Sequence, residues 1–310
     1  MRVIEKLTDL EALGHAVVTS GTFDGVHLGH RKILRRLRKL AKQMEGESLV
    51  LTYWPHPRSV LGDGWGDLRL LSTFEEKVRL LSETGIDYLV KIPFTREFSE
   101  MSSEAFVNEI IVEQLGTKKL VIGYDHRFGR NREGGFDYLK ANQHHFGFEI
   151  EEISREDIDE VGVSSTKIRK ALSSGDAEQA AKFLGRPYQL TGIVTKGDQL
   201  GRTLGFPTAN VYIPEAYKLI PADGVYVVQV TIDGELLTGM LNIGMRPTLD
   251  GTKRQIEVHI FNFDQDIYGT NIEVHLLARL RYEQKFDNMD ALKQQLEVDK
   301  EAALSYLKTL

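Results

Sequence analysis

The sequence predicts an α/β domain built on a parallel sheet, followed by an antiparallel β-barrel closed by a helix. Two textures and a length predict it. Over the first half, short apolar runs alternate with helical patterns, as strands joined through crossover helices do. Over the second half, strand follows strand with turn residues between, which suits a small barrel. At 310 residues the chain is long enough for two packed cores, and 41% hydrophobic with 27% charged residues is ordinary for a globular protein.

From residue 14 to about residue 155 the apolar runs are "HAVV", "ESLVLTYW", "IDYLVKIPF", "KKLVIGYD" and "FGFEIEEI", each read as a buried strand. Between them lie periodic segments such as "RKILRRLRKLAK", where Ile33, Leu34, Leu37 and Leu40 recur at helical spacing, "FEEKVRLLSE" and "SEAFVNEIIVEQL". A further helical stretch starts at "SSTKIRKALSSGDAEQAAKFLG", with Ser164 or Ser165 as its N-cap. The texture changes at Gly185 to Tyr188, so the expected domains are 1–185 and 186–310. The strands of the second domain are "YQLTGIVTKG", "NVYI", "GVYVVQVTI", "LLTGMLNIG", "RQIEVHIFNF" and "TNIEVHLLARL", and a final helix covers about residues 288–309.

Composition narrows the function. Net charge is 39 − 45 = −6, which gives no general attraction to nucleic acid. The cluster "RRLRK" at 35–39 reads as the solvated face of a helix, and it lacks the aromatic interleaving that an RNA-binding regulator would use. No cysteine occurs, which excludes disulfides, thiolate metal sites and cysteine nucleophiles. The N-terminus lacks an apolar signal segment and no window reaches the roughly 18 apolar residues of a membrane span, so a cytoplasmic protein without a membrane partner is expected.

Four stretches of the first domain and two of the second carry chemistry. "GTFDGVHLGH" (21–30) bridges a strand and a helix N-terminus, where unpaired N–H groups favour phosphate. Gly21, Gly25 and Gly29 let backbone approach a ligand, and His27 and His30, three apart, can both donate to phosphate oxygens. "GYDHRFGRNREGG" (123–135) concentrates Asp125, His126, Arg127, Arg130 and Arg132 after a strand. "SSTKIR" (164–169) offers Ser164, Ser165 and Thr166 at a helix start, with Lys167 and Arg169 to neutralise a polyphosphate. "WPHPRS" (54–59) is the weakest, since its prolines can simply stiffen the loop around His56. In "GRTLGFPTAN" (201–210), Thr208 and Asn210 alternate, so both oxygens face one way, as hard-cation ligands must. In "IEVHIFNFDQDIYG" (256–269), Glu257 and His259 share one face of a strand.

Together, "GTFDGVHLGH", "GYDHRFG" and "SSTKIR" resemble the HxGH nucleotidyltransferases and, as a full set, the FMN adenylyltransferase module of bacterial bifunctional FAD synthetases. The resemblance implies a Rossmann-like domain in which Gly21, Phe23, His27 and His30 meet ATP from one side and Ser164, Ser165, Thr166 and Arg169 from the other. Asp125, Phe128 and Arg132 would meet the flavin. "PTAN" and "EVHIF" are similar to riboflavin kinase. There the resemblance gives Thr208 and Asn210 the magnesium ion of ATP, and Glu257 the role of base for the ribityl hydroxyl. The loop Gly192 to Gly201, with Lys196, would cover the nucleotide. The segment from Arg279 to Ala303 resembles that family's flavin-side loop and closing helix, placing Arg281, Glu283 and Phe286 by the flavin. Implied are two activities, riboflavin to FMN and FMN to FAD, using ATP and Mg2+ and releasing ADP and pyrophosphate. A chain in which one module has become a flavin sensor would show only one. Two departures stand out: His126 replaces the commoner phenylalanine, and Val163 the commoner isoleucine.

Overall fold

The computed structural model describes the chain apart from residues 12, 63–67, 125, 154–161, 198–199 and 249–250; the side chains of 200, 246–248 and 251–253 are likewise outside the description. The chain divides into two compact units, Met1–Ser165 and Thr166–Leu310.

The first unit holds a six-stranded sheet in the order β1-β4-β3-β2-β5-β6. Its strands are β1 (Arg2–Ile4), β2 (Ala16–Ser20), β3 (Glu47–Trp54), β4 (Tyr88–Pro93), β5 (Thr117–Gly123) and β6 (Glu149–Ile153). Every pairing is parallel. All five runs read as strands are strands, and β1 is a three-residue addition too short to show a pattern. Alternation splits each strand between two cores. Ala16 and Val18 pack with Leu49, Leu51 and Phe106 on one face, while Val17 and Val50 pack with Leu34 and Leu37 of the Leu28–Gln43 helix on the other. Burial on both faces is what lets these strands be continuously apolar. The segment "SEAFVNEIIVEQL" begins as a single α-turn at Ser103–Ala105 and continues as a π-helix over Phe106–Gln114.

In the second unit, β7 (Tyr188–Thr195), β8 (Ala209–Tyr212), β9 (Gly224–Ile232), β10 (Glu235–Thr248), β11 (Gly251–Ile260) and β12 (Asn271–Arg281) close a barrel in the order β10-β11-β8-β7-β12-β9. All pairings are antiparallel. The Met289–Leu307 helix starts at Asn288, whose side chain accepts the Ala291 N–H at 2.9 Å. It seals an apolar cluster of Val225, Val227, Met240, Leu277 and Ala303. The Ala177–Leu184 helix packs on β7 and β12, and the helix before it (Ser165–Ser173) is tied to the barrel where the Ala222 N–H donates to the Leu172 carbonyl at 2.9 Å. The helical pair that precedes Gly185 therefore packs with the barrel. Among the described residues no helix is long and apolar enough to cross a membrane.

Candidate functional site

In the first unit, after the short edge strand β1, the chain places β2 at the centre of the sheet, lays β3 and β4 to one side and then returns to place β5 and β6 on the other. Order reverses between β2 and β5, and ligands of such sheets sit at that reversal, beyond the carboxyl ends of the strands. The "GTFDGVHLGH" loop leaves β2 there, and the arginine-rich loop leaves β5.

The first loop is held under strain. Phe23 and Val26 adopt φ of 47° and 39°, a left-handed conformation that a β-branched residue rarely takes. Their burial fixes it, with Val26 fully enclosed. Buried Asp24 ties the loop to the segment entering the Phe74–Ser82 helix: its Oδ1 accepts the N–H groups of Leu71 at 2.9 Å and Ser72 at 3.2 Å. Ser72 Oγ in turn accepts the Gly25 N–H at 3.2 Å. Ser165 Oγ donates to the Asp24 carbonyl at 3.1 Å.

The following helix starts at Leu28, so His27 is its N-cap, with Nδ1 accepting the His30 N–H at 3.3 Å. That bond places the proton of neutral His27 on Nε2. The two imidazoles stack at 3.6 Å and 16°, and Phe23 meets His30 edge-on at 5.1 Å. His30 Nδ1 is buried and has no hydrogen-bond partner among the described residues. Burial, then the charges of His27 and Lys77, hold His30 well below the usual imidazole pKa. At neutral pH it is therefore an uncharged donor.

Several expected residues sit deeper than a ligand contact requires. Phe23 is 3% exposed and its ring lies edge-on to His30. Phe128, expected at the flavin, is 7% exposed and lies in the core against Phe106 at 5.3 Å, because its backbone pairs with Gly134 and a Cβ on Gly134 would collide with the Phe128 ring. Gly21 is open enough to serve as a backbone contact, and Arg132 is exposed. His126 lies 5.8 Å from the Phe128 ring, and burial together with Arg127 and Arg132 pushes its pKa down to about 4. Asp125 lies outside the described residues. Ser164 precedes the Ser165–Ser173 helix, while Thr166 and Arg169 fall in its first turns, within the second unit.

In the barrel the site is written in register. Asn210 on β8 is directly opposite Glu257 on β11, which is opposite Asn242 on β10, then Val225 on β9, then Arg281 on β12. Directly paired residues share a face with Cβ atoms about 4.5–5.5 Å apart. Glu257 thus stands between two asparagines. Thr208 lies two residues before Asn210, and the chain after β7 passes so close that a Cβ on Gly197 would collide with the Asn210 amide. A cavity of about 290 Å³ opens beside Thr208, bordered by Arg202, Pro207, Asp264, Asp266 and Tyr268. His259 is neutral, its pKa lowered by burial, and its Nδ1–H donates to the Pro207 carbonyl at 2.7 Å, fixing the turn that presents Thr208.

One expectation here needs correction. Gly192 belongs to no loop; it lies within β7, where a Cβ would stand 2.6 Å from the Tyr212 carbonyl oxygen of β8. The connection after β7 begins at Lys196, whose ammonium lies 5.7 Å from the Tyr268 ring. Gly201 marks its far end, where the Phe206 N–H donates to the Gly201 carbonyl at 2.8 Å. Arg281 is engaged by the protein itself: Nε and Nη2 hold both carboxylate oxygens of buried Asp299 at 2.8–3.0 Å, and Gln295 completes Asp299 at 2.9 Å. Phe286 covers the Arg281 guanidinium at 5.6 Å, and Glu283 accepts the Met245 N–H at 3.4 Å over Gly244.

Sequence reading missed Asp24, Lys77 and Asn242. Lys77 had a signal, since it falls on the apolar stripe of its helix between Phe74 and Leu81. Asn242 had none without the register.

Comparison with known proteins accords with this geometry. A family model described as FAD synthetase matches residues 9–167, and one described as riboflavin kinase matches residues 184–307. A bifunctional riboflavin kinase/FMN adenylyltransferase of Haemophilus influenzae is 38% identical over 94% of this chain and 94% of its own. One of Bacillus subtilis is 34% identical over 97% of this chain and 95% of its own. A solved structure titled as a macrolide-efflux protein from Streptococcus pneumoniae superposes with a TM-score of 0.88 at 32% identity, covering 97% of this chain and 98% of that one.

Proposed function

Because the chain belongs to the family of bifunctional riboflavin kinase/FMN adenylyltransferases, it phosphorylates riboflavin with ATP to give FMN and transfers AMP from ATP to FMN, and we propose that the two steps divide between its units. In the α/β unit the attacking group is already a phosphate anion, so no protein base is required. His27 and His30 orient ATP and stabilise charge on its α-phosphate as pyrophosphate departs. Gly21, Ser164 and Ser165 contribute to the nucleotide side, and the loop of Asp125 and Arg132 to the flavin side.

In the barrel, Glu257 takes the proton of the ribityl hydroxyl as it attacks the γ-phosphorus of ATP. The observation that carries this assignment is the pairing of Glu257 with Asn210, which sets a carboxylate beside neutral oxygen donors. Thr208 and Asn210 offer a hydroxyl and an amide oxygen, donors suited to a magnesium ion that arrives on phosphates and keeps several waters. When bound, the ion would neutralise charge on the phosphates of ATP. Lys196 and Gly201 flank the nucleotide. Arg281, Glu283 and Phe286 shape the flavin side, Arg281 by anchoring the closing helix through Asp299.

The test incubates the protein with riboflavin and ATP, with and without Mg2+, and resolves flavins by chromatography over time. FMN appears first and FAD later, and both need the ion. Absence of FAD would leave a kinase alone. We place the functional boundary between Gly185 and Arg186. Fragments starting at Thr166 and at Arg186 should both make FMN and no FAD; FMN from the longer fragment alone would move the helical pair into the kinase.

A further inference from the structure

Lys77 is 1% exposed, an unusual place for an ammonium. Among the described residues its ammonium forms no hydrogen bond or ion pair; its Nζ faces the rings of Trp54 at 5.4 Å and Phe74 at 5.8 Å. Asp24 acts on it only through its longer-range field. Burial lowers its pKa to about 8, so the cation still predominates at neutral pH. A buried charge left without a hydrogen-bonded partner is costly, and nothing in the packing of this helix requires one. An apolar residue at that point of the Phe74–Leu81 stripe would serve the core better.

Its location supplies a reason. The helix that carries it is docked onto the "GTFDGVHLGH" loop by Asp24 and Ser72, and begins with a Thr73–Glu76 capping box that fixes its first turn. Trp54 ends β3, the neighbour of β2 in the sheet, so the ammonium lies at the carboxyl-end crevice. Its charge reaches the ring of His30, whose Nδ1 also lacks a partner. Two groups short of a partner beside one helix N-terminus define a place for an anion.

We propose that Lys77 binds the polyphosphate of ATP during adenylyl transfer and stabilises the departing pyrophosphate. This deepens the assignment of that crevice and rests on it. In the step, an oxygen of the FMN phosphate forms a bond to the α-phosphorus, the bond from that phosphorus to the bridging oxygen breaks, and the electron pair leaves on pyrophosphate. No proton is transferred. The group gaining charge is thus a phosphate oxygen, which a desolvated ammonium meets better than a neutral imidazole does.

The test compares Lys77→Met, Lys77→Arg and His30→Ala in the full-length chain. For Lys77→Met, FAD formation from FMN should fall about 10²–10³-fold in kcat. Cleavage of FAD by pyrophosphate should show a raised KM for pyrophosphate, and FMN formation from riboflavin should be unchanged. Its melting temperature should hold or rise, since an unpaired charge has been replaced by an apolar chain. Lys77→Arg, which keeps the charge, should retain more activity than Lys77→Met. A fall of less than about tenfold, or a loss of activity that follows a lowered melting temperature, overturns the proposal and leaves Lys77 structural. If His30→Ala loses FAD formation while Lys77→Met keeps it, the crevice is the adenylyl site and only the role of Lys77 fails. If His30→Ala also keeps it, the crevice is misassigned and the proposal falls with it.

Discussion

In the α/β unit the polar side chains ride on loops and helix starts beyond the ends of parallel strands, whereas in the barrel they stand on the strands themselves. The first arrangement needs tertiary locks: Asp24, Ser72 and the Thr73 cap hold a strained loop whose residues 23 and 26 have positive φ. The second needs only register, since pairing Asn210, Glu257 and Asn242 in one row fixes their spacing. Loop-built sites can place helix N-termini and imidazoles around a polyphosphate. A strand-built site sets a carboxylate beside amide groups with little backbone freedom. The proposed division of the two steps follows these geometries, because adenylyl transfer asks for orientation and charge while phosphorylation of a hydroxyl also asks for proton removal.

The sharpest way to break this contrast is Glu257→Gln. A primary hydroxyl is a poor nucleophile at neutral pH, and loss of a general base should cost about 10²–10⁴-fold in FMN formation. FAD formation from supplied FMN should be untouched, and a tenfold or smaller loss in the first rate would leave the kinase to positioning and metal alone. His30→Ala is the mirror experiment, expected to cost about 10²–10³-fold in FAD formation and to make FMN accumulate. Both are read in parallel on one chromatogram, so each unit serves as the folding control for the other.

How much of this was legible in sequence follows the same division. The strands of both units were readable because buried parallel strands are continuously apolar and barrel strands alternate between turns. The histidines were readable because "HLGH" is local: cap, tautomer and stacked rings arise within four residues. Glu257 and Asn210 were each suspected, but that they face each other is a property of β8 and β11, segments some 47 residues apart, and no local pattern reports it. Asn242 was invisible for that reason. Phe128 shows the same limit from the other side, since its burial depends on Gly134 folding against its ring, which the loop sequence does not report. Arg281 reads as a flavin contact, and its ion pair with Asp299, eighteen positions on, is a feature that no local pattern reports.

That ion pair gives the third prediction. Asp299 is 3% exposed and holds Arg281 through both of its oxygens, joining the closing helix to β12. Asp299→Ala strands the guanidinium, and because Arg281 keeps some water contact the expected loss is near the lower end for such pairs, about 3 kcal/mol. Chemical denaturation of the fragment starting at Thr166 should register it, with FMN formation declining through flavin affinity before turnover. If stability is unchanged, the helix is held by the apolar seal of Val225, Met240 and Leu277 and Arg281 is free to serve the flavin directly.

The smallest expected effect tests the α/β side of the contrast. Thr73 Oγ1 accepts the Glu76 N–H at 3.1 Å, and Glu76 Oε2 accepts the Thr73 N–H at 2.9 Å, a reciprocal cap on the helix that carries Lys77. Thr73→Ala removes one of these bonds and should cost about 1 kcal/mol of stability, confined to the first unit. The informative quantity is the ratio of effects. If the cap only stabilises, FAD formation at a temperature well below melting should be nearly normal. If it also aims the following turn, kcat for FAD formation should fall by more than the stability change requires while FMN formation holds steady, and restoring the hydroxyl with Thr73→Ser should recover most of it. Equal losses in both activities would mean that the helix start matters to the chain as a whole, and the claim that the first site depends on local locks would have to be given up.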